Sequence, residues 1–306
     1  MDLRQLNAVL AVDEHGSFSA AARALHTVQS NVSAHVARLE RDLGTTLVDR
    51  STGALTEEGQ VVAARARRIQ GELDALVADV TSLHDEVAGT VHLGVIGTTA
   101  RWLVPPLLMA LAERHPGVTP VVVDATTTSL LPLLETGRIE LAVVNLPVDS
   151  ADVEVEPLFA EHTILLVPAG HPRAGAESVA LADLDGERLL LEPQGTTFRD
   201  VLDAQTEAAG VHLVPQAEVD GMRLLASLAF QGFGATLVPA SAAPAAVQGD
   251  FERIRVDGLE GRTVGLVRRR RGLPSAPARA MRQVLRDVVA DQAPRQSGIS
   301  ALDDAG

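Results

Sequence analysis

The 306-residue sequence contains no cysteine and no lysine. Without cysteine there is no disulfide, no thiol nucleophile and no thiolate metal site, which removes several enzyme classes at once. The redox compartment stays undetermined by this residue. Without lysine every fixed side-chain cation is an arginine, a bias that reads as coding composition before it reads as selection for bidentate contacts. Long apolar runs are missing too. No stretch approaches the roughly 18 residues of a membrane span, and the opening MDLRQLNAVLAVDEHG has neither a basic n-region nor a small-residue cleavage site. A cytoplasmic protein without membrane contact is expected. Positive charge is also short, since the formal net charge is -14. Coating nucleic acid through bulk charge is thereby excluded, and any DNA contact must be local. Zincin, nucleophile-elbow and P-loop signatures are absent, and the nine histidines lack metal-ligand spacing. No metal, no cofactor and no catalytic residue is expected.

What is present is ample material for a core, with 46% apolar and 22% charged residues over a length that suits two or more units. In the first sixty residues, Leu3, Leu6, Val9, Leu10 and Val12 recur at helical spacing, and Gly16 can end that helix in a left-handed conformation. Ser17 or Ser19 can cap a short alanine-rich second segment from Ala20 to Leu25. Thr27 opens a third helix whose apolar face is Val28, Val32, Val36, Leu39 and Leu43. Its opposite face is small, polar and basic, and suits a major groove as well as it suits plain solvent.

More specific are four runs: GSFSAAARALH (16–26), VQSNVS (28–33), RLERDLG (38–44), and LVDR (47–50) followed by LTEEG ending at Gly59. Together they resemble the LysR-type transcriptional regulators over nearly all of residues 1–60. The resemblance implies a winged helix-turn-helix over residues 1–58, with the segment from Thr27 to Arg41 as recognition helix and Ala22 and Leu25 in the core. It implies DNA contacts from Thr27, Gln29, Ser30, Asn31, Ser33, Ala34, His35 and Arg38, with Arg50 at the wing. The chain departs from the family in its short wing, STGAL (51–55). Residues 1–70 hold eight arginines and eight carboxylates. One nearly neutral domain grips phosphates weakly, so tight binding needs two or more copies on repeated half-sites.

Val62, Ala66, Ile69, Leu73, Leu76, Val80, Leu83 and Val87 alternate spacings of four and three, the pattern of a coiled-coil seam. Residues 59–88 are therefore expected to form a linker helix that dimerises through Ile69, Leu73, Leu76, Val80 and Leu83. The resemblance implies the same helix, in a family that commonly forms tetramers.

From Gly89 the texture turns to short β-rich runs, VHLGVI, VTPVVVD, ELAVVN and TILLVP, separated by helix-like stretches. Polar residues collect where such strands end, at Thr98, Thr99 and Arg101, at 126–129, at Asn145, at 195–199 and at 221–223, the positions where α/β sheets bind ligands. LVPPL (103–107), ETGRIELAVV (135–144), PAGHP (168–172) and FQGFGATLVP (230–239) resemble the effector-binding domain of the same family, which is similar to periplasmic solute-binding proteins. The implied architecture is α+β and multidomain: a two-lobed α/β effector domain over 89–292 (lobe I about 89–161 and 268–292, lobe II about 162–267) and a disordered tail over 293–306. The implied cleft residues are Thr98, Thr99, Arg101, Thr128, Thr197, Phe198 and Met222, with Arg101 or Arg199 available to a carboxylate. The four arginines 268–271 read as solvated surface.

The partners implied are double-stranded operator DNA, a small-molecule effector for which an anionic metabolite is one candidate class, further copies of the chain in a dimer or tetramer, and RNA polymerase. Two other classes stay open on the residues alone. One is a DNA-binding architectural protein without ligand control, and the other is an α/β enzyme whose catalytic residues are far apart in sequence.

Overall fold

A computed structural model describes residues 1–82 and 87–302 of the chain. The N-terminal unit comprises α1 (Leu3–His15), α2 (Phe18–Ala24), α3 (Gln29–Leu43), a short hairpin and the long α4 (Glu57–Ser82). Asp2 opens α1 with a reciprocal cap, its carboxylate accepting from the Gln5 N–H while the Gln5 side chain accepts from the Asp2 N–H. Gly16 ends α1 at φ 70°, in the left-handed region. Ser17 caps α2, and Ser19 is left to bond elsewhere. His26, at φ 52°, makes the turn into α3.

Val9, Val12, Ala21, Val32, Val36, Leu39 and Leu47 form the core of this unit. Four residues expected inside lie outside: Leu3 is 46% exposed in the first turn of α1, and the other three also sit at helix ends. Val28 is 60% exposed because it precedes the first helical turn, Leu43 is 43% exposed in the last turn, and Leu25 is 41% exposed just past the end of α2. The recognition helix thus starts at Gln29 and not at Thr27.

The chain then forms β1 (Gly89–Ile96), α5 (Gly97–Arg114), β2 (Val118–Ala125), α6 (Thr127–Glu135), β3 (Leu141–Asn145) and β4 (Val153–Glu161). It crosses to a second lobe as β5 (Thr163–Pro168), β6 (Ser178–Ala180), β7 (Arg188–Leu191), α7 (Thr197–Ala208), β8 (Val214–Glu218), α8 (Met222–Phe230), β9 (Ala235–Pro239) and β10 (Phe251–Asp257). It returns as β11 (Arg262–Arg269), α9 (Ala276–Gln292) and β12 (Ile299–Ala301). Each lobe holds a six-stranded sheet, ordered β12-β4-β11-β3-β1-β2 in lobe I and β6-β10-β5-β9-β7-β8 in lobe II. In lobe I β1 pairs in parallel with β2 and β3, and β11 runs antiparallel between β3 and β4. This sets the carboxyl ends of β1, β2 and β3 at one edge, where α5 and α6 begin.

Two expected boundaries change. Strand β11 belongs wholly to the lobe I sheet because its backbone is hydrogen-bonded to β3 and β4, so lobe II ends near 258–261 and not at 267. The expected disordered tail is ordered as far as Leu302: residues 293–295 form a 3-10 turn and β12 pairs antiparallel with β4, burying Ile299. Burial of that side chain and the backbone ladder offset the entropy of ordering a polar segment. Residues 303–306 lie outside the described residues.

Truncation that removes residues 298–306 is therefore expected to lower the unfolding free energy by about 2 kcal/mol, the value of burying one isoleucine. Urea titration of full-length and truncated protein checks this. Identical midpoints and slopes would mark the tail as uncoupled from the fold.

Candidate DNA interface and effector cleft

The outward face of α3 presents Gln29, Ser30, Asn31, Ala34 and Arg38 to solvent, with Ser33 and His35 half-buried beside them and Thr27 exposed just ahead. Two carboxamides on this face are held by hydroxyls: Ser19 Oγ donates to Gln29 Oε1 at 3.0 Å, and Asn31 Nδ2 donates to Thr27 Oγ1 at 3.0 Å. Such tethers reduce the rotamer freedom lost on contact with base edges. Arg50 at the wing is paired with Glu40 at 3.3 Å and lies 5.7 Å from the Phe18 ring centroid. Glu40 also accepts the backbone N–H groups of Leu47 at 2.9 Å and Val48 at 3.3 Å. It therefore fastens the wing, whose two sides meet in the Val48–Leu55 bridge, onto the recognition helix. Nothing in the periodicity of α3 singles Glu40 out for that role.

The expected seam on α4 divides in two. Val62 and Ala66 pack into the N-terminal core, because the first turns of α4 lie against α1. Ile69 and Leu73, both 41% exposed, Leu76 at 60% and Val80 at 54% form an apolar stripe beyond it. Leu83 lies outside the described residues. Below the stripe, Asp13 of α1 is bracketed by Arg67 of α4 and by Arg138 of lobe I, the latter at 2.9 Å. Arg68 Nη2 donates to the Glu135 carbonyl at 2.6 Å. The N-terminal unit is thus tied to lobe I through polar contacts from α1 and α4. A cavity of about 1010 Å³ opens at this junction, lined by residues that include Asp13, Arg67, Glu72, His92, Arg138 and Arg269.

At the lobe I edge, α5 begins inside the glycine-threonine run, and its buried face repeats every fourth residue through Thr99, Leu103, Leu107 and Leu111. Thr98 is buried and its Oγ1 accepts from Arg262 Nη2 at 3.0 Å. Thr99 is buried with no partner for its hydroxyl among the described residues, as is the Asn145 side-chain oxygen at the end of β3. Thr128 is exposed at the start of α6, where Thr126 Oγ1 lies 2.9 Å from its hydroxyl. On the lobe II side, Thr197 is exposed at the first turn of α7 and Met222 is half-buried at the first turn of α8. Phe198 packs into the lobe II core instead of facing an open space.

The arginines at this edge differ in fate. Arg101 is exposed, reaching the Ala242 carbonyl at 3.4 Å and lying 6.0 Å from the Phe230 ring centroid. Arg199 is not a free carboxylate clamp: it is buried and already charge-paired, its Nε donating to Asp203 at 2.7 Å and its Nη1 to Glu218 at 3.2 Å and to the Glu192 carbonyl at 2.8 Å. Arg223 of α8 forms an ion pair across the lobes with Asp124 of β2. Glu192, at the end of β7, has its carboxyl pushed above the usual glutamate range by burial; a hydrogen bond from Thr196 opposes this and the nearby Asp220 charge adds to it.

Comparison with known proteins follows this geometry. Residues 3–60 match the family model for bacterial regulatory helix-turn-helix proteins of the lysR family, and residues 84–290 match that for the LysR substrate binding domain. The chain belongs to the LysR family of bacterial regulators, and is a DNA-binding transcriptional regulator with an effector-binding domain. It is 37% identical over 277 residues to a probable hydrogen peroxide-inducible genes activator of Mycobacterium avium, covering 86% of each chain. It is 30% identical over 301 residues to the DNA-binding transcriptional dual regulator OxyR of Escherichia coli K12, covering 94% of this chain and 95% of that one. Full-length OxyR of Pseudomonas aeruginosa, solved with an aspartate in place of a cysteine, superposes with a TM-score of 0.76 at 25% identity, covering 100% of this chain and 99% of that one.

Two outcomes follow. Ser33→Asp places a carboxylate beside the exposed face of α3 and is expected to weaken sequence-specific duplex binding at least tenfold, roughly 1.4 kcal/mol, with the oligomer unchanged; a gel-shift titration beside sedimentation velocity reads both. For Glu192 the folded pKa lies above its unfolded value, so the folded state is penalised at high pH and the penalty fades as pH falls through the folded pKa toward 4.5. Glu192→Gln should therefore raise the melting temperature at neutral pH, with the gain shrinking on acidification. A gain that grew toward low pH would contradict the assignment.

Proposed function

We propose that this chain is an oligomeric cytoplasmic transcription regulator, without enzymatic activity, whose signal is a non-covalently bound small molecule held between lobes I and II. The observation that carries the proposal is the cysteine count of zero in a chain that aligns along most of its length with regulators named for hydrogen peroxide. Peroxide chemistry at a thiol needs a thiolate, and there is none. What remains at the cleft is suited to reversible binding: hydroxyls at Thr98, Thr99, Thr128 and Thr197, the exposed Arg101 and the thioether of Met222.

Output is proposed to run through Gln29, Ser30, Asn31, Ser33, Ala34, His35 and Arg38, with Thr27 and Arg50 at the flanks, against operator DNA. Residues 1–58 form the reading unit and the linker helix pairs two copies through Ile69, Leu73, Leu76 and Val80. Each large apolar side chain buried there contributes about 1.5–3 kcal/mol before association costs. Ligand-driven closure of the lobes then changes the separation of the recognition helices.

Footprinting on DNA from the chain's own upstream region tests this. Hydrogen peroxide, at doses that leave methionine intact by mass spectrometry, is expected to leave the protected region unchanged, whereas a metabolite that raises the melting temperature should shift it. A peroxide-dependent footprint, or a bound metabolite that never alters protection, would overturn the reading.

A further inference from the structure

Two segments link the lobes, one from Glu161 to Thr163 and the other from Asp257 to Arg262. They touch where Gly261 meets Glu161: a Cβ on Gly261 would lie 2.3 Å from the Glu161 carbonyl oxygen, so only glycine lets the two strands approach this closely. At the same point the carboxylate of Glu161 is buried, with its residue 1% exposed. Its Oε1 accepts from Arg262 Nε at 2.6 Å and its Oε2 from the backbone N–H of Ser241 at 2.8 Å. Arg262 extends the network outward. Its Nη2 donates to Thr98 Oγ1 at 3.0 Å and reaches Ser241 Oγ at 3.5 Å. One guanidinium therefore joins both linking segments, the first turn of α5 at the lobe I edge of the cleft, and the turn 240–242 that follows β9 in lobe II.

An ion pair this deep persists only where the remaining donors and acceptors are also satisfied. Charge neutrality alone does not require arginine, because a lysine would also neutralise Glu161. What lysine lacks is the planar fork whose separate N–H groups diverge toward Glu161 on one side and Thr98 and Ser241 on the other. Arg262 is thus chosen by geometry more than by sign.

We propose that Arg262 is a positioning residue that couples the effector cleft to the hinge, so that the hydrogen bonding of Thr98 and the angle between the lobes change together. The coupling has a chemical polarity. Thr98 Oγ1 accepts from Arg262 and its own O–H is still free to donate, so it can meet an acceptor on a ligand such as a carbonyl, carboxylate or ether oxygen. Such a ligand leaves the Arg262 bond in place and strengthens it cooperatively. A ligand that donates to Thr98 shares that oxygen with Arg262, weakens the Arg262 bond and loosens the hinge. Only this last step rests on the cleft being the effector site; the coupling of Thr98 to the hinge is a property of the chain by itself.

The test uses full-length protein and no ligand. Because the chain has no native cysteine, Ala151→Cys in lobe I and Glu207→Cys in lobe II, both exposed positions, take a pair of spin labels without further changes. The labelled protein is diluted into excess unlabelled protein so that only distances within one chain are read. R262K keeps the charge opposite Glu161 but loses the fork, and T98V keeps the ion pair but removes the accepting hydroxyl. Both are expected to add a second population at longer inter-lobe distance in double electron-electron resonance, while R262K retains the circular dichroism and melting transition of the parent. An unchanged distance distribution in folded R262K overturns the proposal. If R262K does not fold, T98V decides alone: a second population supports the coupling and the parental distribution refutes it. A failed search for an effector would leave either result standing.

Discussion

Carboxylates outnumber arginines 40 to 26 in a chain with no other fixed side-chain cation, and the fate of each guanidinium shapes every functional surface. Most arginines near a site are already claimed by the chain's own acids. Asp13 holds Arg67 and Arg138 together at the domain junction, Glu40 draws Arg50 back toward α3, Asp124 meets Arg223 across the cleft and Glu161 fixes Arg262 at the hinge. The exposed ones among these pairs contribute little stability individually, unlike the buried Glu161–Arg262 pair. Their larger effect is on what they withhold, since a paired guanidinium displaces fewer counterions from DNA and offers less to an anionic ligand.

Two consequences follow for function. On the DNA side, Arg38 remains exposed on α3 while the wing arginine is partly neutralised, so a single reading unit has few phosphates within its means. On the proposed reading, specificity then falls to hydrogen bonds from the exposed α3 face, where Gln29, Ser30, Asn31 and Ser33 lie, and to the number of units engaged at once. On the sensor side, Arg101 is the exposed cation at the lobe I edge, and Glu192 is an acid that burial pushes toward its neutral form.

The helix-turn-helix was legible in the sequence because its information is local: apolar residues three and four apart, caps, and a glycine at the end of α1. Misplaced residues there, such as Val28 and Leu43, sit at helix ends, where periodicity continues but burial does not. The β-runs of lobe I were legible for the same reason. Strand β12 was not, because three residues of ordinary composition become a strand only by pairing with β4, far back in the chain. The lobe assignment of β11 likewise depended on which sheet received it. Arg199 resembled a ligand clamp until Glu218, nineteen residues on, was found to share it, and the Glu161–Arg262 pair spans 101 residues. Spacing rules report which face a residue occupies. They do not report which partner reaches that face from elsewhere.

On the proposed reading recognition belongs to the oligomer and not to one domain, and the apolar stripe on α4 is the place to test it. Leu76, being 60% exposed, can carry a charge without damage to the fold of one chain. The decisive measurement is the affinity of Leu76→Asp protein, shown to be monomeric by sedimentation, for a duplex selected in vitro by the parent protein. A loss of at least about a hundredfold is expected, the lower end of what paired sites gain through effective concentration. A monomer that bound that duplex as tightly as the parent would contradict it.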